Sequence, residues 1–280
     1  MAYALVVYID DAYQATDQLE VAPYYGDKRV GEPVRLLKAP DAFGGKYVAD
    51  GIISAATGAQ IKFKMYNYDT EEFFGFSDNS IEFDEEETGN ILNPSILKYT
   101  SVAEVNNVKY GNFQNAVNAA SDGQTVKLNK DVADVDVTIN KDITLDLGTK
   151  TLTDAYIKIA AEVTVKNGDI KNTTAPYPLV VNSGKLTVED VDIEASKSDR
   201  AIWVRSGSSL VFNSGSILAT KGEYNTKTSL IAAIYTDSNT DVTINGGTIT
   251  VDTPDNKAVG IFGNYTNANV TVNGGKISTS

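Results

Sequence analysis

The chain of 280 residues contains no cysteine and no histidine. The first absence excludes disulfides and thiolate zinc sites. The second removes Ser-His-Asp and Cys-His catalysis and any histidine acid or base. Acid–base work is left to Asp, Glu, Lys and Tyr, and a metal would need hard oxygen ligands, as calcium does. Positive charge is scarce too. Lys and Arg number 24 against 37 Asp and Glu, giving a formal net charge of −13. Nucleic-acid and anionic-lipid partners, which both call for a basic face, are therefore not expected. Long apolar runs are missing, so no segment reaches the roughly 18 residues of a membrane helix. The opening MAYALVVYIDDAYQ has no basic start and breaks at Asp10, which reads as a strand and not as a signal peptide. Synthesis without a Sec signal is the expectation, and neither cofactor nor metal is expected.

What is present is apolar enough, at 42%, for a sizeable core, in a length sufficient for two domains. Residues 1–100 carry no internal repeat, hold 17 Asp/Glu against 8 Lys/Arg, and are rich in Tyr. ALVVYI (4–9), PVRLLKA (33–39), AQIKFKMYNY (59–68) and EFFGF (72–76) alternate as strands do, with Gly and Pro between them. This predicts a small antiparallel β domain over 1–100. IEFDEEETGN (81–90) reads as an acidic loop, a solvated turn whose spacing matches no calcium loop. A linker and short helix occupy 101–125: Phe113, Ala116, Val117 and Ala120 fall on one apolar stripe, and SDG ends it before the strand TVKL.

From there the chain is periodic. VTVKNGDI (163–170), LTVEDVDI (186–193), LVFNSGSI (210–217), VTINGGTI (242–249) and VTVNGGKI (270–277) follow a looser ITLDLGTKTL (143–152), with starts 20, 23, 24, 32 and 28 residues apart. Such a period signals stacked repeats. Gly168, Gly215, Gly247 and Gly275 share one bend position, where LTVEDVDI has Val191. A second strand precedes several copies: PLVVN (178–182), RAIWVRS (200–206), AAIYTDS (232–238) and VGIFGN (259–264). Each period thus holds about three short strands whose apolar side is covered only by neighbours. The longest loop is expected around TKGEYNTKTS (220–229).

This pattern resembles the right-handed parallel β-helix of the pectin-lyase-like group. FQNAVNAASDGQTVKL is similar to that fold's N-terminal capping helix and first strand, and ITLDLGTKTL to its early coil. The likeness covers about residues 107–280 and implies an all-β chain with a parallel β-helix over 126–280. The fold serves lyases, hydrolases, adhesins and phage fibres alike, so it implies no single function.

Two groups are candidate sites. Aligning the preceding strands puts Ile202, Ile234 and Ile261 in one column and Trp203, Tyr235 and Phe262 in the next, on the opposite face. An outward aromatic ladder of this kind could meet sugar rings, meet a partner chain, or simply stack. The carboxylates Glu189, Asp190, Asp192 and Glu194 cluster in one coil. Regular alternation would put Glu189 with Val191 and Ile193, and Asp190, Asp192 and Glu194 on the other side. The resemblance implies that, in an enzyme, Asp190, Asp192 and Arg205 would be the catalytic candidates, because related lyases use calcium on Asp plus an Arg or Lys base and related glycosidases use paired carboxylates. Asn213, Asn245 and Asn273 share a repeat position and predict an internal asparagine ladder.

The final coil stops at KISTS without an evident cap, so self-association, as a trimer, is the expectation. With about seven coils at strand spacing, the stack would be only some 30–35 Å long. These features lead to the expectation of a structural phage virion protein, a head fibre or capsid decoration and next a tail fibre. Residues 1–100 would dock on capsid or other virion proteins, and the β-helix would project toward a cell-surface polysaccharide. A tailspike-like polysaccharide depolymerase and a bacterial surface adhesin are the alternatives.

Overall fold

Apolar–polar alternation becomes strand along nearly the whole chain in the computed structural model, which describes residues 1–84, 88–89, 91–174, 177–196, 198–220, 230–253, 257–263 and 266–280. The 220–229 loop lies outside the described residues except for Thr220, and residues 85–87 and 90 of the acidic loop lie outside them as well. The chain divides into two units. One comprises Met1–Val102 with Lys109–Asn115, the other Ala103–Val108 with Ala116–Ser280.

The first unit is built from two sheets. In one, Ala2–Ile9 lies between Tyr47–Ile52, antiparallel to it, and Ser95–Tyr99, parallel to it. The expected all-antiparallel arrangement therefore needs one correction: the unit's first and last long strands pair in parallel, a connection that local alternation cannot specify. In the other sheet, Gln60–Asn67 lies between Leu19–Tyr25 and Glu72–Phe76, both antiparallel. The 33–39 stretch is not one strand but two short pieces, Val34–Arg35 and Leu37–Lys38, around fully buried Leu36. Inward residues of both sheets form one core that includes Leu5, Val7, Val21, Ile61, Phe63, Met65 and Leu97. Burying each such side chain stabilises by about 1.5–3 kcal/mol before entropy is counted.

The short helix is Phe113–Ala119, and Phe113, Ala116, Val117 and Ala120 are all buried, as the stripe predicts. The Asn112 side chain caps it by accepting from the Asn115 N–H at 3.1 Å. At its other end Lys141 Nζ donates to the carbonyls of Asn118 and Ala120.

In the second unit the strands from Thr125 to Thr279 pair in parallel, each repeat with the next. The sequence copies and the ladder coincide: Val163 pairs with Leu186, Leu186 with Leu210, Leu210 with Val242 and Val242 with Val270. The closing isoleucines stack likewise, Ile170, Ile193, Ile217, Ile249 and Ile277 in one column. The preceding strands form a separate parallel sheet of Asp136–Ile139, Tyr156–Ile159, Leu179–Val181, Arg200–Val204, Leu230–Thr236 and Lys257–Gly263.

The bend between the two halves of each copy explains Val191. In the last three copies Gly215, Gly247 and Gly275 take positive φ, from 75° to 101°. In the two copies before them the left-handed residue falls one position earlier, at Asn167 (φ 62°) and Asp190 (φ 52°), types that tolerate it. Val191 is thereby freed from the left-handed position, and it points inward, fully buried. The same bend overturns the regular alternation: Leu186 and Val188 face in before it, Val191 and Ile193 after it, so Glu189 stands outside the core. Among the described residues no helix is long and apolar enough to cross a membrane.

Candidate functional site

The register confirms the aromatic column as a geometric fact. Trp203 pairs with Tyr235 and Tyr235 with Phe262, beside Ile202, Ile234 and Ile261. Ile202 and Ile234 are fully buried, whereas Ile261, near the last rung, is only half-buried. Two rings that alignment of the repeats did not reveal extend the column. Tyr156 contacts Tyr177 at 6.0 Å and Tyr177 contacts Trp203 at 5.2 Å, followed by Trp203–Tyr235 at 6.2 Å and Tyr235–Phe262 at 5.3 Å. Tyr177 stands outside any strand, so strand alignment carries no signal for it.

The rings do not lie as a flat platform. The first three contacts are edge-to-face, at interplanar angles of 72°, 88° and 87°. That arrangement matches positive ring edges to negative faces. Guanidinium groups cover ring faces as well: Arg200 lies 4.7 Å from the Trp203 centroid and 4.1 Å from that of Tyr235, and Arg205 lies 4.3 Å from Trp203. Asp199 holds Arg200 through two hydrogen bonds of 3.0 and 2.7 Å. Asp237 accepts from both Trp203 Nε1 and Arg205 Nε at 3.1 Å. Each cation is thus neutralised, and the column is a locked, half-buried strip of aromatic and ion-paired side chains. Partial burial pushes the Tyr177 hydroxyl above its ordinary pKa, with neighbouring Tyr156 adding to the shift.

The acidic coil lies elsewhere. Asp190 and Asp192 line an open cleft of about 630 Å³ together with Lys127, Asp146, Asn167 and Asp169. Asp169 and Asp192 are direct register partners on adjacent strands. Thr151 Oγ1 donates to Asp169 at 3.3 Å and Ser216 Oγ to Asp192 at 2.7 Å. Asp146 accepts from the Gly148 N–H and Asn167 Nδ2 and faces Lys166 Nζ at 3.7 Å. Arg205, grouped in sequence with the two aspartates, is not part of this lining: it is committed to Trp203 and Asp237. Sequence reasoning missed Asp146 and Asp169, which join the cleft only because they sit two rungs and one rung away.

The asparagine ladder exists but is not internal. Asn213 donates to Glu189 at 3.1 Å, Asn245 to Asn213 at 2.8 Å and Asn273 to Asn245 at 2.8 Å, on the solvent side. Each follows Phe212, Ile244 or Val272, which share one register column, and so faces the opposite way. Register continues the row through Lys166, Asp146 and Lys127. Alternating charges and amides therefore run along the stack.

Against family models, characterised proteins and solved structures, the chain has no match.

Proposed function

We propose that residues 126–280 wind as a right-handed parallel β-helix and that the chain is a structural virion protein of a phage, a head fibre or capsid decoration. In this reading the N-terminal domain docks on the particle and the stacked unit projects from it. The observation that carries it is the parallel pairing of each repeat with the next from Thr125 to Thr279, interrupted by one register shift between Asp146 and Lys150, with three strand positions per repeat. Right-handed crossovers are the default for parallel strands. A stack held by ladders of backbone and side-chain hydrogen bonds resists bending and suits display. The locked aromatic column supplies a rigid contact strip on such a stack.

In this reading the chain also self-associates. Val270, Val272 and Ile277 occupy core columns, yet they are 44%, 53% and 42% exposed. Apolar columns beside open strand edges can accept a further strand, which in this reading a second copy of the chain supplies. Immunogold labelling of purified virions tests the main reading. Labelling of the head is the expected result, and a particle free of the protein overturns it.

The acidic cleft favours a second reading, a polysaccharide lyase or hydrolase using Asp190 and Asp192. Turnover of acidic polysaccharides by the wild-type chain, abolished in the Asp190→Ala and Asp192→Ala variants, is the result it requires.

A further inference from the structure

The solvent-facing side of the N-terminal unit's second sheet carries aromatic residues that belong in a core by type and not by position. Phe73 is 61% exposed, Phe76 41% and Tyr68 39%. A β-bulge makes this possible. Tyr66 pairs with Phe73 but Met65 with Gly75, so Phe74 is the extra residue and turns inward, buried. Gly75, at φ 105°, absorbs the bend. The strand thus places Phe73 and Phe76 on one outer face, a re-aiming characteristic of bulges.

Next to Phe76 lies an open slot of about 190 Å³ lined by Tyr24, Gly26, Gln60, Lys62, Phe76 and Ser80. Tyr24 and Phe76 meet edge-to-face at 5.4 Å, so the slot presents one ring face and one ring edge. Polar groups in it are already oriented: Ser80 Oγ donates to Gln60 Oε1 at 2.8 Å, and Gln60 Nε2 donates to Glu82 at 3.2 Å. Lys62 stands directly across from Tyr24. Among the described residues no carboxylate forms an ion pair with it. Further along the same face, Lys64 Nζ lies 4.8 Å from the Phe73 ring centroid and 6.0 Å from that of Phe76.

We propose that this slot binds an acidic sugar residue of a glycan, its pyranose ring against Tyr24 and Phe76 and its carboxylate on Lys62. A concave, aromatic-walled site with a few converging polar groups suits a small ring carrying hydroxyls. Gln60 and Ser80 take the hydroxyls, and a chain continuing along the strand reaches Lys64 and Phe73. The inference concerns this unit alone and does not rest on the virion reading.

Calorimetric titration of the full chain with sialyllactose and a hyaluronan hexasaccharide, against lactose and maltohexaose, tests it. Acidic ligands are expected to bind about tenfold tighter than the neutral ones, a difference of about 1.4 kcal/mol. Lys62→Met should erase that preference, Phe76→Ala should weaken binding of every sugar, and Lys38→Met, which removes the same charge from the other sheet, should change nothing. The proposal is overturned if no acidic sugar binds at millimolar concentration, if Lys62→Met keeps the preference, or if a thymidine oligonucleotide binds more tightly than either acidic sugar.

Discussion

Asn245 donates its side-chain amide to Asn213 Oδ1 at 2.8 Å across one rung, and accepts the same bond from Asn273. The spacing of parallel strands matches the reach of one amide to the next, so the bond repeats wherever asparagine does. Replacing Asn245 by Ala removes both bonds at once. A loss of about 1 kcal/mol is expected, because exposed side-chain bonds compete with water. Adding Asn273→Ala should cost less than its own single effect, since the shared bond is already gone. Urea unfolding of the two singles and the double measures this.

Gly215 and Gly26 both take positive φ, 101° and 58°, yet their surroundings differ. A Cβ on Gly215 would stand 2.1 Å from the Val191 carbonyl oxygen, whereas nothing lies within 4 Å of one on Gly26. Gly26→Ala should cost about 1 kcal/mol, the conformational penalty alone. Gly215→Ala must also push neighbouring strands apart and should cost about 3 kcal/mol or more. Equal midpoints for the two variants would disprove the crowding argument.

Asp10 accepts the Ser101 N–H at 2.9 Å, the Ser101 hydroxyl at 2.7 Å and Lys109 Nζ at 2.7 Å. Burial pushes its carboxyl up, but the bonds from Lys109 and Ser101 outweigh this and hold it below its ordinary value. A depressed folded pKa stabilises above the unfolded value near 4 and loses that contribution as pH falls through the folded one. Asp10→Asn should therefore lower stability by about 1 kcal/mol at pH 7, after allowing for solvent screening. The gap from wild type should close progressively below pH 4, as thermal melts across pH 2–7 would record.

Tyr3 is buried against Phe63, edge-to-face at 5.3 Å, and its hydroxyl has no hydrogen-bond partner among the described residues. Burial raises its pKa far above the ordinary tyrosine value, with Asp50 adding to the effect. An unmatched buried hydroxyl costs free energy, so Tyr3→Phe should be neutral or stabilising by up to about 1 kcal/mol. A clear loss of stability in thermal unfolding would reveal a partner that the geometry omits.

Val272 is half-exposed in the final rung although its register partner Ile244 is buried. If this surface drives self-association, Val272→Lys should shift sedimentation toward the monomer while leaving the melting curve of the fold nearly unchanged. A wild-type chain that sediments as a monomer at high concentration would remove the assembly argument.

The repeat was legible because parallel stacking imposes the same chemistry on every rung: Ile170, Ile193, Ile217, Ile249 and Ile277 are one column in the letters and in space. Trp203, Tyr235 and Phe262 could be aligned for the same reason. Legibility failed where the chain leaves the period. Tyr177 enters the aromatic column from outside any strand, and the pairing of Ala2–Ile9 with Ser95–Tyr99 joins segments about ninety residues apart.

Local patterning thus accounts for the strands, their inward faces and the offsets at which they stack, since each depends on residue type and spacing alone. The arrangement of the sites depends on more. Asp190 turned left-handed puts Glu189 outside, Arg205 is drawn to Asp237 and away from the acidic cleft, and a bulge at Phe74 turns Phe73 and Phe76 outward. Each follows from where a neighbouring strand lies, because side-chain direction at a bend or bulge is chosen by packing against that neighbour and not by the alternation of its own strand.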